Sequence, residues 1–114
     1  IETNQITARI ADLSARAASL GGIFDYEAKR ERLEEVSREL ESPTVWDAPE
    51  RAQQLGKERA QLERIVAGLR EIGDGLSGAS ELLELAAAES DEGTAAAVAA
   101  DVEQLAARVE KLEF

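Results

Sequence analysis

The chain has 114 residues, 24 acidic and 13 basic, with no His, no Cys and a formal charge of −11. Without His or Cys there can be no thiol nucleophile, disulfide, imidazole triad, haem on His, or zinc site with those ligands. Such an acidic balance also opposes general attraction to nucleic acid or to an anionic membrane surface.

Hydrophobic residues make up 44% of the chain but aromatic ones only 4%. A core of Ala, Leu and Val suits close helix packing better than a sheet. The charge is unevenly spread. Residues 1–24 are neutral, 25–41 carry −3, 42–75 carry −1 and 76–114 carry −7. Contact with nucleic acid should therefore avoid the C-terminal third.

Ile6, Ile10, Leu13, Ala17 and Leu20 step by four and three, the rhythm of a helix with one narrow apolar stripe. Thr3 or Asn4 is the expected cap, and Gly21-Gly22 the expected stop. A second helix begins at Asp25, read as its N-cap, and buries Leu33, Val36 and Leu40. Its other faces are dense with charge. Asp25 with Lys29, Arg30 with Glu34 and Glu34 with Arg38 are spaced for i,i+4 pairs, and we read them as a solvated face.

Ser42-Pro43 ends this helix, because proline disfavours helical geometry in the residue before it. In the corner that follows, Asp47 and Glu50 have the spacing of a capping box and Pro49 falls in the first turn. Trp46 is placed to pack against the start of the next helix as a hydrophobic staple. In that helix Leu55, Leu62, Leu69, Leu76 and Leu83 recur every seven residues, with Ala52, Val66, Ala79 and Ala86 three before or after. A sustained heptad implies supercoiled helices. Unbroken to Glu89, it would extend about 60 Å. Gly68, Gly73, Gly75 and Gly78 weaken its middle, but the leucine phase is the same on both sides, so we read it as one helix. After a turn at Ser90-Asp91-Glu92-Gly93, Val98, Val102, Leu105, Val109 and Leu112 form the last stripe.

The expected fold is all-α: an elongated antiparallel, coiled-coil-like bundle of about four helices around one long central helix. The whole chain, 1–114, is expected to form one domain, with helices at about 3–20, 25–41, 48–89 and 92–113. No apolar run reaches the ~20 residues of a membrane span, and no signal segment is visible. The start at Ile1 and the uncapped end at Leu112-Glu113-Phe114 both read as cuts.

Candidate chemistry is sparse. Di-metal bundles use Glu-x-x-His motifs, which a chain without His cannot supply. Its carboxylates lie mostly off the apolar stripes, where water solvates them, so no acid–base pair in an apolar pocket is expected. Gly73, Gly75 and Gly78 spell Gly-x-Gly-x-x-Gly inside a heptad with no preceding strand, a chance match. No catalytic residue, cofactor or metal is expected. Basic residues gather at Arg51, Lys57, Arg59, Arg64 and Arg70, with Arg59 spaced to pair with Glu63. A solvated face is the preferred reading, and contact with rRNA or an acidic protein patch the functional one. Trp46 is a second candidate anchor, since Trp is enriched at interfaces. The candidate partner contacts are thus Trp46, Arg51, Lys57 and Arg59.

Two stretches carry a resemblance. They are Phe24-Asp25-Tyr26-Glu27-Ala28-Lys29-Arg30-Glu31-Arg32-Leu33-Glu34-Glu35-Val36 and Val45-Trp46-Asp47-Ala48-Pro49-Glu50-Arg51-Ala52-Gln53-Gln54-Leu55-Gly56-Lys57-Glu58-Arg59. With Leu82-Leu83-Glu84-Leu85-Ala86 and Lys111-Leu112-Glu113-Phe114, they closely resemble the N-terminal helical domain of the bacterial peptide chain release factor 2 family. The likeness covers nearly the whole chain, and the wording is that of release factor 2 rather than release factor 1.

The resemblance implies a cytoplasmic class I termination factor that recognises UGA and UAA codons and triggers hydrolysis of peptidyl-tRNA. The family's Gly-Gly-Gln and Ser-Pro-Phe motifs are not in these residues, and Ser42-Pro43-Thr44 is a helix-ending turn. The domain itself is therefore expected to be non-catalytic and to read no codon. The implied partners are the ribosomal stalk base and the release factor 3 GTPase, with no membrane. The alternative is a free-standing coiled-coil scaffold or adaptor.

Overall fold

Among the described residues, the apolar stripes become four α-helices and one short 3-10 turn. These are α1 (Asn4–Ile23), α2 (Tyr26–Glu41), α3 (Pro49–Ala88) and α4 (Glu92–Glu113), with the 3-10 turn at Pro43–Asp47. The computed structural model describes residues 2–114, and no strand occurs among them. Two compact units emerge. One comprises residues up to Leu20 together with Arg70–Phe114, and the other comprises Gly21–Leu69.

In the first unit, α1 contributes Ile10, Leu13 and Leu20 to the core. The later part of α3 contributes Ile72, Leu76, Ala79, Leu83 and Ala86, and α4 contributes Ala95, Val98, Val102, Ala106 and Val109. Arg9 meets Glu103 at 2.9 Å and Arg16 meets Glu113 at 2.7 Å, so α1 and α4 run in the same direction. Arg108 reaches Glu71 at 2.8 Å and Leu105 covers Gly75, which sets α4 antiparallel to α3. The antiparallel α3–α4 pair follows from their short loop, whereas the parallel α1–α4 pair was not anticipated.

The stripe of α4 also differs from its expected 4-3-4-3 spacing. Ala106 takes the buried place, and Leu105 lies half-buried at the rim. Gly75 leaves room there for the leucine.

In the second unit, α2 and the early part of α3 form an antiparallel pair around Val36, Leu40, Val45 and Leu55, with Leu62 packed against them. Arg32 bridges to Glu58 and Arg51 to Glu39, fixing the register. Leu55 is wholly buried, which is worth about 1.5–3 kcal/mol relative to exposure.

The buried stripe of α3 changes phase at Leu69. Before it the leucines have companions three residues earlier, at Ala52 and Val66. From Leu69 onward the companions come three later, at Ile72, Ala79 and Ala86. The heptad of leucines therefore conceals a change of buried face, and it falls at the boundary between the units.

Three helix ends depart from expectation. Gly21 and Gly22 do not stop α1, which continues to Ile23. A helical glycine costs only about 1 kcal/mol relative to Ala, and continued intrahelical bonding outweighs that. The left-handed residue is instead Asp25, at φ 52°. Asp25 opens α2 through its carbonyl, which accepts from Lys29 N–H at 3.0 Å, and its side chain makes no cap bond. The Lys29 ammonium donates to the Phe24 carbonyl, so the expected Asp25–Lys29 pair does not form.

At the third end, Asp47 closes the 3-10 turn, in place of the expected capping box. Backbone bonds hold the corner, from Ala48 N–H to Val45 C=O at 3.1 Å and from Ala52 N–H to Ala48 C=O at 3.0 Å. The expected turn before α4 is present but ends sooner, with Glu92 and Gly93 already in the helix. Asp91 caps α4, accepting from Thr94 N–H at 3.0 Å and from the Thr94 hydroxyl at 2.6 Å. The helix α3 runs through its glycines without a break.

Candidate docking surface

The proline corner is shaped by the exposed end of α2. Val45 turns inward and is buried, leaving Trp46 beside it largely exposed, at 62%. The indole N–H donates to the Leu40 carbonyl at 3.0 Å. Trp46 thus satisfies a terminal carbonyl of α2, where a staple onto α3 was expected. A helix leaves its last carbonyls unpartnered, and a donor one short turn away can reach them.

Arg51, in the first turns of α3, places its guanidinium on the Glu39 carboxylate at 3.2 and 3.3 Å. Two candidate contacts, Trp46 and Arg51, are therefore brought together, and both clasp the last turn of α2. Nearby, Arg32 forks onto Glu58 at 2.7 and 2.8 Å. That fork holds the Glu58 carboxyl below its ordinary value, with the Arg51 charge adding to the effect against partial desolvation. The Arg32 guanidinium is correspondingly raised, by Glu58 first and Glu35 second.

Lys57 and Arg59 are not brought together. Two residues apart on a helix, they face nearly opposite sides. Among the described residues neither makes an ion pair, so the expected Arg59–Glu63 pair is not made; Arg64 and Arg70 are likewise unpaired. All four are exposed.

Lys57 has its face-mate in Arg64, seven residues on. The residues three and four away from them are Gln53, Gln54, Ala60, Gln61, Ala67 and Gly68, with no acid among them. The sequence reading counted Arg64 in the basic cluster but did not place it among the contacts. Its spacing from Lys57 was the available signal.

The remaining chemistry can be placed quickly. No charged or polar residue is buried among the described residues. No group of three or more carboxylates there is arranged to hold a metal ion. Gly73, Gly75 and Gly78 lie inside continuous α3, where backbone N–H groups bond within the helix and cannot cradle a phosphate. None of the described helices is long and apolar enough to cross a membrane.

Comparison with known proteins gives a consistent result. Residues 29–114 match the PCRF domain family. The chain is 61% identical over its full 114 residues to peptide chain release factor 2 of Xanthomonas euvesicatoria pv. vesicatoria (strain 85-10). It is 58% identical, again over its full length, to peptide chain release factor 2 of Stenotrophomonas maltophilia (strain R551-3). With that of Shewanella woodyi (strain ATCC 51908 / MS32) it shares 50% identity over 113 residues. The chain spans about a third of the length of these relatives, 30, 30 and 31% respectively.

Proposed function

The chain belongs to the PCRF domain family, and from that premise we propose that it is the non-catalytic docking module of a termination factor acting at UGA and UAA codons. The module works in the cytoplasm, contacts the ribosome at the stalk base and is linked to the release factor 3 GTPase. Codon reading and peptide release belong to other parts of the parent factor. The likeness to release factor 2 runs the length of the chain, well beyond what shared heptads would produce in an unrelated scaffold.

The observation that carries the docking role is the Lys57–Arg64 face of α3. In a chain of charge −11, six of the other nine arginines are held by carboxylates, while among the described residues these two cations make no ion pair and stand among amide and small side chains. Free cations on a smooth helical face suit the phosphates of structured RNA, which bind mainly through charge neutralisation. Trp46 and Arg51 shape the corner that presents this face, and Arg59 lies on the other side of α3.

The test is co-sedimentation of the chain with ribosomes across a salt series. We expect binding that weakens with salt, and a Lys57→Glu/Arg64→Glu double variant that binds about ten-fold less tightly. The chain alone should release no peptide from ribosomes stalled at UGA. Peptide release by the chain, or binding indifferent to the double variant, overturns the proposal.

A further inference from the structure

The later part of α3 carries a second heptad stripe besides its buried one. Gly75, Gly78, Leu82 and Leu85 step by three, four and three, and they lie one position before Leu76, Ala79, Leu83 and Ala86 of the core. From Gly78 onward this second stripe looks outward. Leu82 is 43% exposed and Leu85 55%, and nothing lies within 4 Å of where a Gly78 side chain would begin. Gly75, Gly78 and Leu82 form, with Leu105 and Val98 of α4, an open groove of about 350 Å³, and Leu85 continues the exposed stripe beyond it. A 3-4-3 apolar spacing on a solvent-facing surface is the pattern by which one helix receives another. The glycine at 78 allows a close backbone approach, whereas Gly75 already receives Leu105 of α4.

The rim is acidic. Asp101 lines the groove, while Asp74 and Glu81 stand four before and three after Gly78, on the same face of α3. Among the described residues none of the three makes an ion pair. The carboxylates of the α1–α4 seam, by contrast, are engaged by Arg9 and Arg16. Among the described residues only Arg108 brings positive charge to the groove, and Glu71 holds it at 2.8 Å. Residues 70–114 sum to −8, so a second copy of this chain would meet like charge.

We propose that this groove receives an amphipathic helix with basic flanks from a protein partner. The partner's apolar stripe lies over Gly78 and Leu82, and its Lys or Arg side chains meet Asp74, Glu81 and Asp101. The groove and its charge stand independently of the Lys57–Arg64 face, and either surface can fail without the other.

The probe is a synthetic helical peptide of about 18 residues, five turns, with leucines at alternating four- and three-residue steps and lysines elsewhere. A twin with glutamate for lysine is the control. Titrated into the isotopically labelled chain, the basic peptide should saturate and shift the amides of Gly75, Gly78, Leu82 and Leu105. A Leu82→Ser/Leu85→Ser variant should keep its helical spectrum, because both leucines are exposed, and bind about ten-fold more weakly. Shifts scattered over the acidic surface, undiminished binding by the double variant, or equal binding of the glutamate twin each overturn the proposal. So does a dimer of the chain alone that dissolves in the double variant, which would give the groove to a second copy.

Discussion

Gly75 and Leu105 touch across the α3–α4 seam so closely that a Cβ on Gly75 would stand 2.9 Å from one Leu105 methyl and 3.1 Å from the other. The contact accounts for a glycine in mid-helix and for the displacement of Leu105 from the buried stripe of α4. Gly73, two residues earlier, has nothing within 4 Å of its missing side chain. Gly73→Ala should therefore raise stability by about 0.5–1 kcal/mol through chain entropy and helix propensity. Gly75→Ala should gain less, because the Leu105 side chain has to move aside. Urea unfolding of the two variants decides the matter. Equal gains would show that Leu105 is not seated on Gly75.

The turn between α3 and α4 makes a second prediction. Ser90 adopts φ 53°, a left-handed conformation that costs a residue with a side chain about 1–2 kcal/mol. It is kept there by a Schellman pair, Asp91 N–H to Ala86 C=O at 2.8 Å and Ser90 N–H to Ala87 C=O at 3.3 Å. Ser90→Gly relieves the strain but frees the unfolded chain, so the net gain should be up to about 1 kcal/mol. Thermal unfolding of Ser90→Gly beside Ser90→Ala checks this. Loss of stability with glycine would mean that the Ser90 side chain itself supports the turn.

The same helix ends show how far the sequence could be read. The apolar stripe of α1, the leucine heptad of α3, the turn before α4 and the stop before Pro43 were legible because each depends on local spacing or local chemistry. The glycines at 21–22 misled, because glycine permits a left-handed turn without requiring one, and Asp25 took that conformation instead. The parallel α1–α4 pair is set by contacts 94 and 97 residues apart, between Arg9 and Glu103 and between Arg16 and Glu113. No local pattern encodes them.

At the candidate surface, the sequence placed Trp46 and Arg51 at the corner but could not show them spent on α2. The groove escaped notice because Gly75, Gly78, Leu82 and Leu85 stand one residue out of phase with a stronger stripe. A leucine heptad draws the eye to itself. Its change of companion at Leu69 became visible only once burial separated Ile72 from the residues around it.

The fork from Arg16 to Glu113, at 3.0 and 2.7 Å, ties α1 to α4 near the end of α4 and should give a pH-dependent contribution. Hydrogen bonding from Arg16 holds the Glu113 carboxyl below its ordinary value, against desolvation and the nearby Asp12 charge. Glu103 is lowered in the same way by Arg9. A carboxylate whose folded pKa is depressed stabilises the fold above its unfolded value, about 4.3 for Glu. That contribution is lost as the pH falls through the lower folded value. Overall acid stability mixes this loss with relief of the −11 charge, so the informative quantity is a difference between chains. At low salt, where exposed pairs are least screened, Arg16→Gln should be less stable than the parent at pH 7. The gap should close as the pH drops below about 4. Urea midpoints of both chains from pH 7 to 3 provide the measurement. A gap that stays constant would assign the effect of Arg16 to packing of its aliphatic stem between the two helices, with no contribution from its charge.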